Sequence, residues 1–227
     1  MVTWDTIRAL TFDCYGTLID WETGIVRDLR TGLGEVDLDD EALLVRYADA
    51  EAAIEAGPFV PYRQILREVL GRIARDLGIA PHSPDALSVG LGSWPPFPDT
   101  IESLRRLGER FRLCITSNVD RDLFAGTEER LGLRFDEVVT ADQVRSYKPG
   151  TAHFEEARRR LALPPSAIAH VAQSLYHDVV PARRLGLATV WVDRRAGRPG
   201  GATLAPREAA IPDLRVESLA QLLEEIG

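Results

Sequence analysis

The chain has only two cysteines in 227 residues, Cys14 and Cys114. Both fall inside strand-like runs, which excludes a disulfide scaffold and leads us to expect reduced structural thiols. Two cysteines cannot close a zinc site unaided. The sequence also lacks any apolar run of about 18 residues, and no basic segment followed by an apolar stretch stands at its start. Neither a membrane span nor a signal peptide is therefore expected, and the chain reads as cytoplasmic. A basic excess is missing too: 27 Lys and Arg face 35 Asp and Glu, a formal net charge of -8. That balance leaves no broad face for nucleic-acid phosphates, and the acidity reads as a solvated surface.

What is present is ordinary globular composition, 45% hydrophobic and 27% charged, in a chain long enough for one sizeable domain carrying a smaller one. Short, apolar, β-prone runs recur at residues 7–12, 112–116, 137–140, 168–172 and 189–192. Helical patterns separate them at 99–107, 120–131, 151–161 and 178–185, the last closed by Gly186, and a capping-box pattern at Ser218 opens a final helix. This alternation predicts an α/β fold, a doubly wound parallel sheet with helices on both faces.

Between Asp20 and about Pro98 the alternation disappears and the pattern is helical throughout. Residues 41–57 read as one helix. Ile65, Leu66, Val69, Leu70, Ile73 and Leu77 share one face of another, entered through Pro61. Residues 90–98 read as a return linker and 197–206 as a loop. The expected division is a sheet domain over 1–19 and 98–227, with an inserted helical cap over 20–97. An insertion directly after the first strand lies above the carboxyl ends of the strands, where open α/β sheets take ligands.

Four segments fall at the ends of successive sheet elements: Asp13-Cys14-Tyr15-Gly16-Thr17, Thr116-Ser117-Asn118, Lys148-Pro149, and Ala172-Gln173-Ser174-Leu175-Tyr176-His177-Asp178. In a parallel sheet those ends converge. Taken singly, each has a bland explanation. An aspartate or a Ser-Asn pair after a strand is commonly a turn residue, a lysine before proline a surface group, and Asp178 a helix cap. A buried strand-end carboxylate can also attack an electrophilic carbon or phosphorus and form an ester that water later opens. A lysine would offset its charge, and a second carboxylate would serve as base or hold water. Four segments in order favour the chemical reading.

In order and spacing, these segments resemble the four motifs of the haloacid dehalogenase superfamily, over nearly the whole chain including the helical insertion. The resemblance implies Asp13 as nucleophile with Thr17 and Ser174 beside it, Lys148 orienting it, and Asp178 acting in ester hydrolysis. Ser117 and Asn118 would donate to a substrate carboxylate. Two departures are informative. Tyr15 stands where phosphatases of the superfamily carry an acid–base aspartate, and Gln173 where they carry an acidic residue that helps hold magnesium. The run Phe12-Asp13-Cys14-Tyr15-Gly16-Thr17-Leu18 is similar to the 2-haloacid dehalogenase branch, which implies a hydrolase with no metal and no cofactor and Tyr15 facing the substrate. A departing halide needs no proton, whereas donors that hold it are useful.

Arg46, in Arg46-Tyr47-Ala48-Asp49-Ala50-Glu51, looks like the halide-handling arginine of that branch and equally like a solvated helix arginine. His177 lies outside the branch's pattern; a substrate-facing donor with near-neutral titration and a satisfied structural ring are both open. Phe154 departs from the tyrosine found near that position. The expected function is hydrolytic dehalogenation of a small 2-haloalkanoate to the 2-hydroxyalkanoate plus halide, through an ester on Asp13. Substrate and halide are the expected partners, without nucleic acid or membrane, and relatives of this type suggest a homodimer. Two alternatives stand beside it: an atypical magnesium-using phosphatase built on Asp13 and Asp178, and a non-catalytic interaction protein.

Overall fold

A computed structural model describes residues 2–198, 201–205 and 210–227. Its centre is a six-stranded parallel sheet in the order β3-β2-β1-β4-β5-β6. The strands are β1 Ala9–Phe12, β2 Arg112–Ser117, β3 Glu137–Thr140, β4 Ile168–Ala172, β5 Ala188–Val192 and β6 Leu214–Val216. Five match the runs read from the sequence; β6, three residues at the sheet edge, was not anticipated. Register pairs Phe12 with both Ile115 and Val171, so the residues that follow β1, β2 and β4 emerge side by side.

The strands are apolar on both faces because helices cover both, which is the expected doubly wound α/β fold. On one face Ala9, Cys114, Val139 and Ile168 pack with Phe154, Ala157 and Leu161 of α8 (Ala152–Leu161) and Ala182 of α9 (Val180–Arg184). On the other, Leu10, Phe12, Leu113 and Ile115 pack with Leu104 and Leu107 of α5 (Thr100–Gly108), Phe124 of α6 (Arg121–Leu131) and Leu219 and Leu222 of α10 (Leu219–Ile226). Ser218 caps α10 by accepting from Gln221 N at 3.0 Å, but Gln221 Oε1 accepts from Glu217 N, one residue before the cap, so only the first half of the expected capping box forms. Cys14 and Cys114 are both buried free thiols. Of the loop expected over 197–206, residues 199, 200 and 206 lie outside the described residues.

Between β1 and α5 the chain forms α1 (Trp21–Leu33), α2 (Asp40–Glu55), α3 (Tyr62–Asp76) and the short α4 (Ala86–Gly90). Leu29, Leu43, Tyr47, Ile65, Leu66, Val69, Leu70 and Leu87 are fully buried among them. The chain enters and leaves this insertion through paired segments. Asp20 N donates to Pro95 O at 2.8 Å and Phe97 N to Leu18 O at 3.1 Å, around an antiparallel bridge between Ile19 and Pro96. Trp94 then packs where Gly24 of α1 has no side chain; a Cβ at Gly24 would stand 2.3 Å from Trp94 Cγ. The Trp94 indole N–H donates to Asp28 Oδ2 at 2.6 Å. A further tie runs from Asp120, whose carboxylate accepts the Tyr62 and Arg63 backbone N–H groups at 3.0 Å each and so seats the first turn of α3 on the sheet unit.

Candidate active site

Asp13 follows β1, its backbone N–H still paired with Val171 O, and is buried with 8% of its surface exposed. Thr17 donates its hydroxyl to Asp13 Oδ2 at 2.7 Å. That direction is fixed locally, because Gln173 N donates to the same Thr17 oxygen at 2.9 Å and leaves the hydroxyl hydrogen for Asp13.

Lys148 is 2% exposed and spends all three ammonium hydrogens inside the site. Its Nζ reaches Asp13 Oδ1 at 2.8 Å, Asp178 Oδ1 at 2.7 Å and Thr116 O at 3.0 Å. Asn118 holds the Lys148 backbone from both sides, accepting its N–H at 2.7 Å and donating to its C=O at 3.2 Å. One cation between two buried carboxylates decides the charge states. Burial works against the Lys148 ammonium, but Asp13 and Asp178 outweigh it and hold the lysine above its ordinary value. Burial likewise pushes Asp178 up, yet Lys148 and His170 together hold it below the usual carboxylate range. Asp13 shows the opposite net result, raised by burial and by Asp178 more than Lys148 and Thr17 lower it.

Asp178 is not the helix cap that a sequence reading of helix 178–185 offers. The turn Leu175–Val179 is π-helical and precedes α9, so Asp178 lies within it and Ser174 is the cap, accepting His177 N at 2.9 Å. The wider turn, a form often found at functional sites, presents Asp178 to Lys148. His170 of β4, which the sequence reading missed inside an apolar run, supports Asp178 from below: its Nε2 lies 3.0 Å from Asp178 Oδ1.

Above this base is a cavity lined by Asp13, Tyr15, Ser117, Asn118, Lys148, Ser174, His177 and Asp178 from the sheet side and by Trp21, Glu51, Glu55 and Tyr62 from the inserted helices. Its volume is about 40 Å³; with one water needing roughly 10–15 Å³ in such a measure, it suits a ligand of few heavy atoms. The Tyr15 hydroxyl is engaged with Thr127 Oγ1 at 2.8 Å, and its ring meets Trp94 edge-on. His177 is neutral at pH 7, burial lowering it to about 4, which replaces the near-neutral titration expected from its type.

Arg46 is the one candidate the structure does not bring to the site. It is exposed on α2 and absent from the cavity wall. Adjacent helix residues are about 100° apart, and Tyr47 takes the buried side. The same helix instead contributes Glu51 and Glu55, which the sequence reading passed over. Both phenols of Tyr47 and Tyr62 donate to Glu51 Oε1, the first at 2.8 Å. Asn118 Nδ2 lies 3.3 Å and 3.4 Å from the two Glu55 oxygens. The visible signal was Tyr47, Glu51 and Glu55 at successive four-residue steps along one face.

As a magnesium site the cluster fits poorly. Tyr15 and Gln173 supply no carboxylate, the Gln173 side-chain oxygen lies 3.3 Å from the Thr203 hydroxyl, and Asp13 and Asp178 share the Lys148 ammonium.

A family model of haloacid dehalogenase-like hydrolases matches residues 7–186. The (S)-2-haloacid dehalogenase of Pseudomonas sp. (strain YL) is 28% identical over 228 residues, 97% of this chain and 94% of that protein. Among solved structures, the L-2-haloacid dehalogenase PA0810 superposes with a TM-score of 0.81 at 25% identity, covering 97% of this chain and 100% of that one. The defluorinating L-2-haloacid dehalogenase Rha0230 gives 0.79 at 26% identity, covering 97% and 95%. The chain belongs to the haloacid dehalogenase-like hydrolase family.

Proposed function

We propose that the protein is a hydrolytic dehalogenase that converts a small 2-haloalkanoate to the 2-hydroxyalkanoate through a covalent ester on Asp13. The observation that carries this reading is the Asp13–Lys148–Asp178 cluster, a buried carboxylate nucleophile compensated by one ammonium at the floor of a small cavity. The named activity of the relatives supports it.

In the first step an Asp13 carboxylate oxygen forms a bond to C2, and the carbon–halogen electron pair leaves with the halide. Lys148 and Thr17 orient the carboxylate, the arrangement that converts binding into a near-attack geometry. No proton is required at the leaving group, consistent with a Tyr15 hydroxyl already committed to Thr127. The Ser117 hydroxyl has no hydrogen-bond partner among the described residues and lines the cavity, so it is available to the substrate carboxylate. In the second step water adds to the Asp13 carboxyl carbon and the alkyl oxygen departs. One proton of that water goes to the departing oxygen; the other is left on the Asp13 carboxyl and lost to solvent. Asp178, held ionised by Lys148 and His170, positions the water and keeps Lys148 in place.

The test is halide release from chloro-, bromo- and fluoroacetate and 2-chloropropanoate, with Asp13→Asn as control. Release by the wild type, loss in the variant, and a substrate-derived mass on Asp13 in rapid-quench samples are expected. Magnesium-dependent turnover of phosphate esters with no halide from any of these acids would overturn the reading.

A further inference from the structure

The cavity wall carries four carboxylates, Asp13, Glu51, Glu55 and Asp178, but Lys148 is its one lysine or arginine among the described residues. That ammonium is consumed by Asp13 and Asp178. Glu51 and Glu55 are therefore left without a cation on the side of the cavity opposite the nucleophile's floor. His177 offers none, since burial keeps it neutral at pH 7 and its Nε2 stands 3.9 Å from Glu55 Oε2.

Burial raises Glu51 to about 7, and the two phenols that donate to it work the other way, toward the ionised form. Two phenols donate to Oε1, whereas Oε2 has no partner among the described residues. Glu55 is similarly placed to accept from the Asn118 amide. The second observation is on the sheet side, where the Ser117 hydroxyl is fully buried and unpartnered at the same cavity. An unpartnered hydroxyl on one wall and a pair of glutamates without a cation on the other point to a ligand polar at both ends. Trp21 and Tyr62 also line it, and aromatic rings attract cations.

We propose that the substrate is a zwitterion, a small 2-haloalkanoate that also carries an ammonium group, with the ammonium seated between Glu51 and Glu55 and the carboxylate toward Ser117. This rests on the reading of the cavity as the place where Asp13 reacts. A simple haloalkanoate brings no cation to Glu51 and Glu55, whose ionised forms burial disfavours. An ammonium-bearing one supplies the missing cation, and the cap carboxylates become the specificity-determining groups.

The experiment compares 3-amino-2-chloropropanoate with 2-chloropropanoate for halide release, and their hydrolysis products, 3-amino-2-hydroxypropanoate and lactate, for binding by calorimetry. Wild type, Glu51→Gln and Glu55→Gln are each measured, with folding checked by circular dichroism. At least a tenfold preference for the amino substrate in kcat/KM is expected, together with tighter binding of the amino product. Each isosteric variant should erase most of both preferences. If Glu51→Gln does not fold, Glu55→Gln decides the matter alone. Wild-type preference for 2-chloropropanoate, or variants that slow both substrates equally, would overturn the proposal while leaving dehalogenation standing. Binding of the amino product that depends on Glu51 and Glu55, without halide release from either acid, would support the charge assignment and sink the dehalogenase reading instead.

Discussion

His170 Nε2 stands 3.0 Å from Asp178 Oδ1 with both side chains closed to solvent, and the other ring nitrogen meets Thr11 Oγ1 at 2.9 Å. Thr11 and His170 are register partners on β1 and β4, so the sheet itself aims the ring at Asp178. Replacing His170 by Phe keeps bulk and removes the donor. A stability loss of roughly 1–3 kcal/mol in urea unfolding is expected from the orphaned polar groups. Ester hydrolysis should slow more than ester formation, so intact-mass analysis during turnover would show the enzyme carrying the substrate-derived alkyl group as an ester accumulating; equal slowing of both steps would argue against a role for this contact.

Lys148→Met should be among the most destabilising substitutions, about 3–5 kcal/mol, because it leaves Asp13 and Asp178 buried without a counter-charge. The pH dependence distinguishes charge from packing. In the wild type, Asp178 is held below its unfolded value, so its contribution is present above about pH 4 and is lost as pH falls through the lower folded value. Asp13 is raised and acts in the opposite direction. In Lys148→Met both carboxyls would be raised, and the stability deficit relative to wild type should shrink as pH drops from 7 toward 4. A deficit that stays constant would mean lost packing rather than lost charge.

Glu51 gives a second pH signature. Burial raises it to about 7, against the phenol donors Tyr62 and Tyr47 and with Asp13 adding to the rise. Glu55 on the same helix is raised too, by burial and by Glu51. Affinity for an ammonium-bearing ligand should therefore strengthen as pH rises through about 7, while the Glu51 contribution to stability falls from the ordinary value of 4.5 up to about 7, where the folded state retains a proton the unfolded chain has released, and levels off above it. Calorimetric titration from below to above pH 7 checks the first, and urea unfolding from pH 4.5 to above about 7 the second. Glu51→Gln should flatten both.

Gly24→Ala tests how the inserted helices are seated. The new methyl would collide with the Trp94 ring, which cannot move without giving up its bond to Asp28. Overpacking of this kind typically costs about 1–3 kcal/mol. A lowered urea midpoint with altered tryptophan fluorescence is expected; an unchanged midpoint would show that the ring relocates freely.

The sheet was legible because five of its strands are continuous apolar runs between helical patterns, and Asp13 was legible as a polar residue at a strand end; Lys148 and Asp178 were legible only through the order of their segments, since Lys148 follows β3 beyond the short α7 (Ala141–Val144) and Asp178 sits in the turn after β4. The insertion's contribution was harder to read. A buried glutamate has the same letter as a solvated one, and only the phenols that converge on Glu51 from α2 and α3 distinguish it. Arg46 misled for the related reason that a helix position displaced by one residue faces another direction. His170 resembled an interruption of an apolar strand until its Asp178 contact was visible. β6 is too short for alternation to register, and the π-turn at Leu175–Val179 has no sequence pattern that separates it from an ordinary helix start.

The paired crossing at Leu18–Asp20 and Pro95–Phe97 has an evolutionary consequence. Because both connections pass through one small clasp, everything between them can be exchanged as a cassette without disturbing a single strand pairing of the sheet. Ligand preference is then free to change through Glu51, Glu55 and Tyr62, while the reactive trio beneath keeps its place on the sheet.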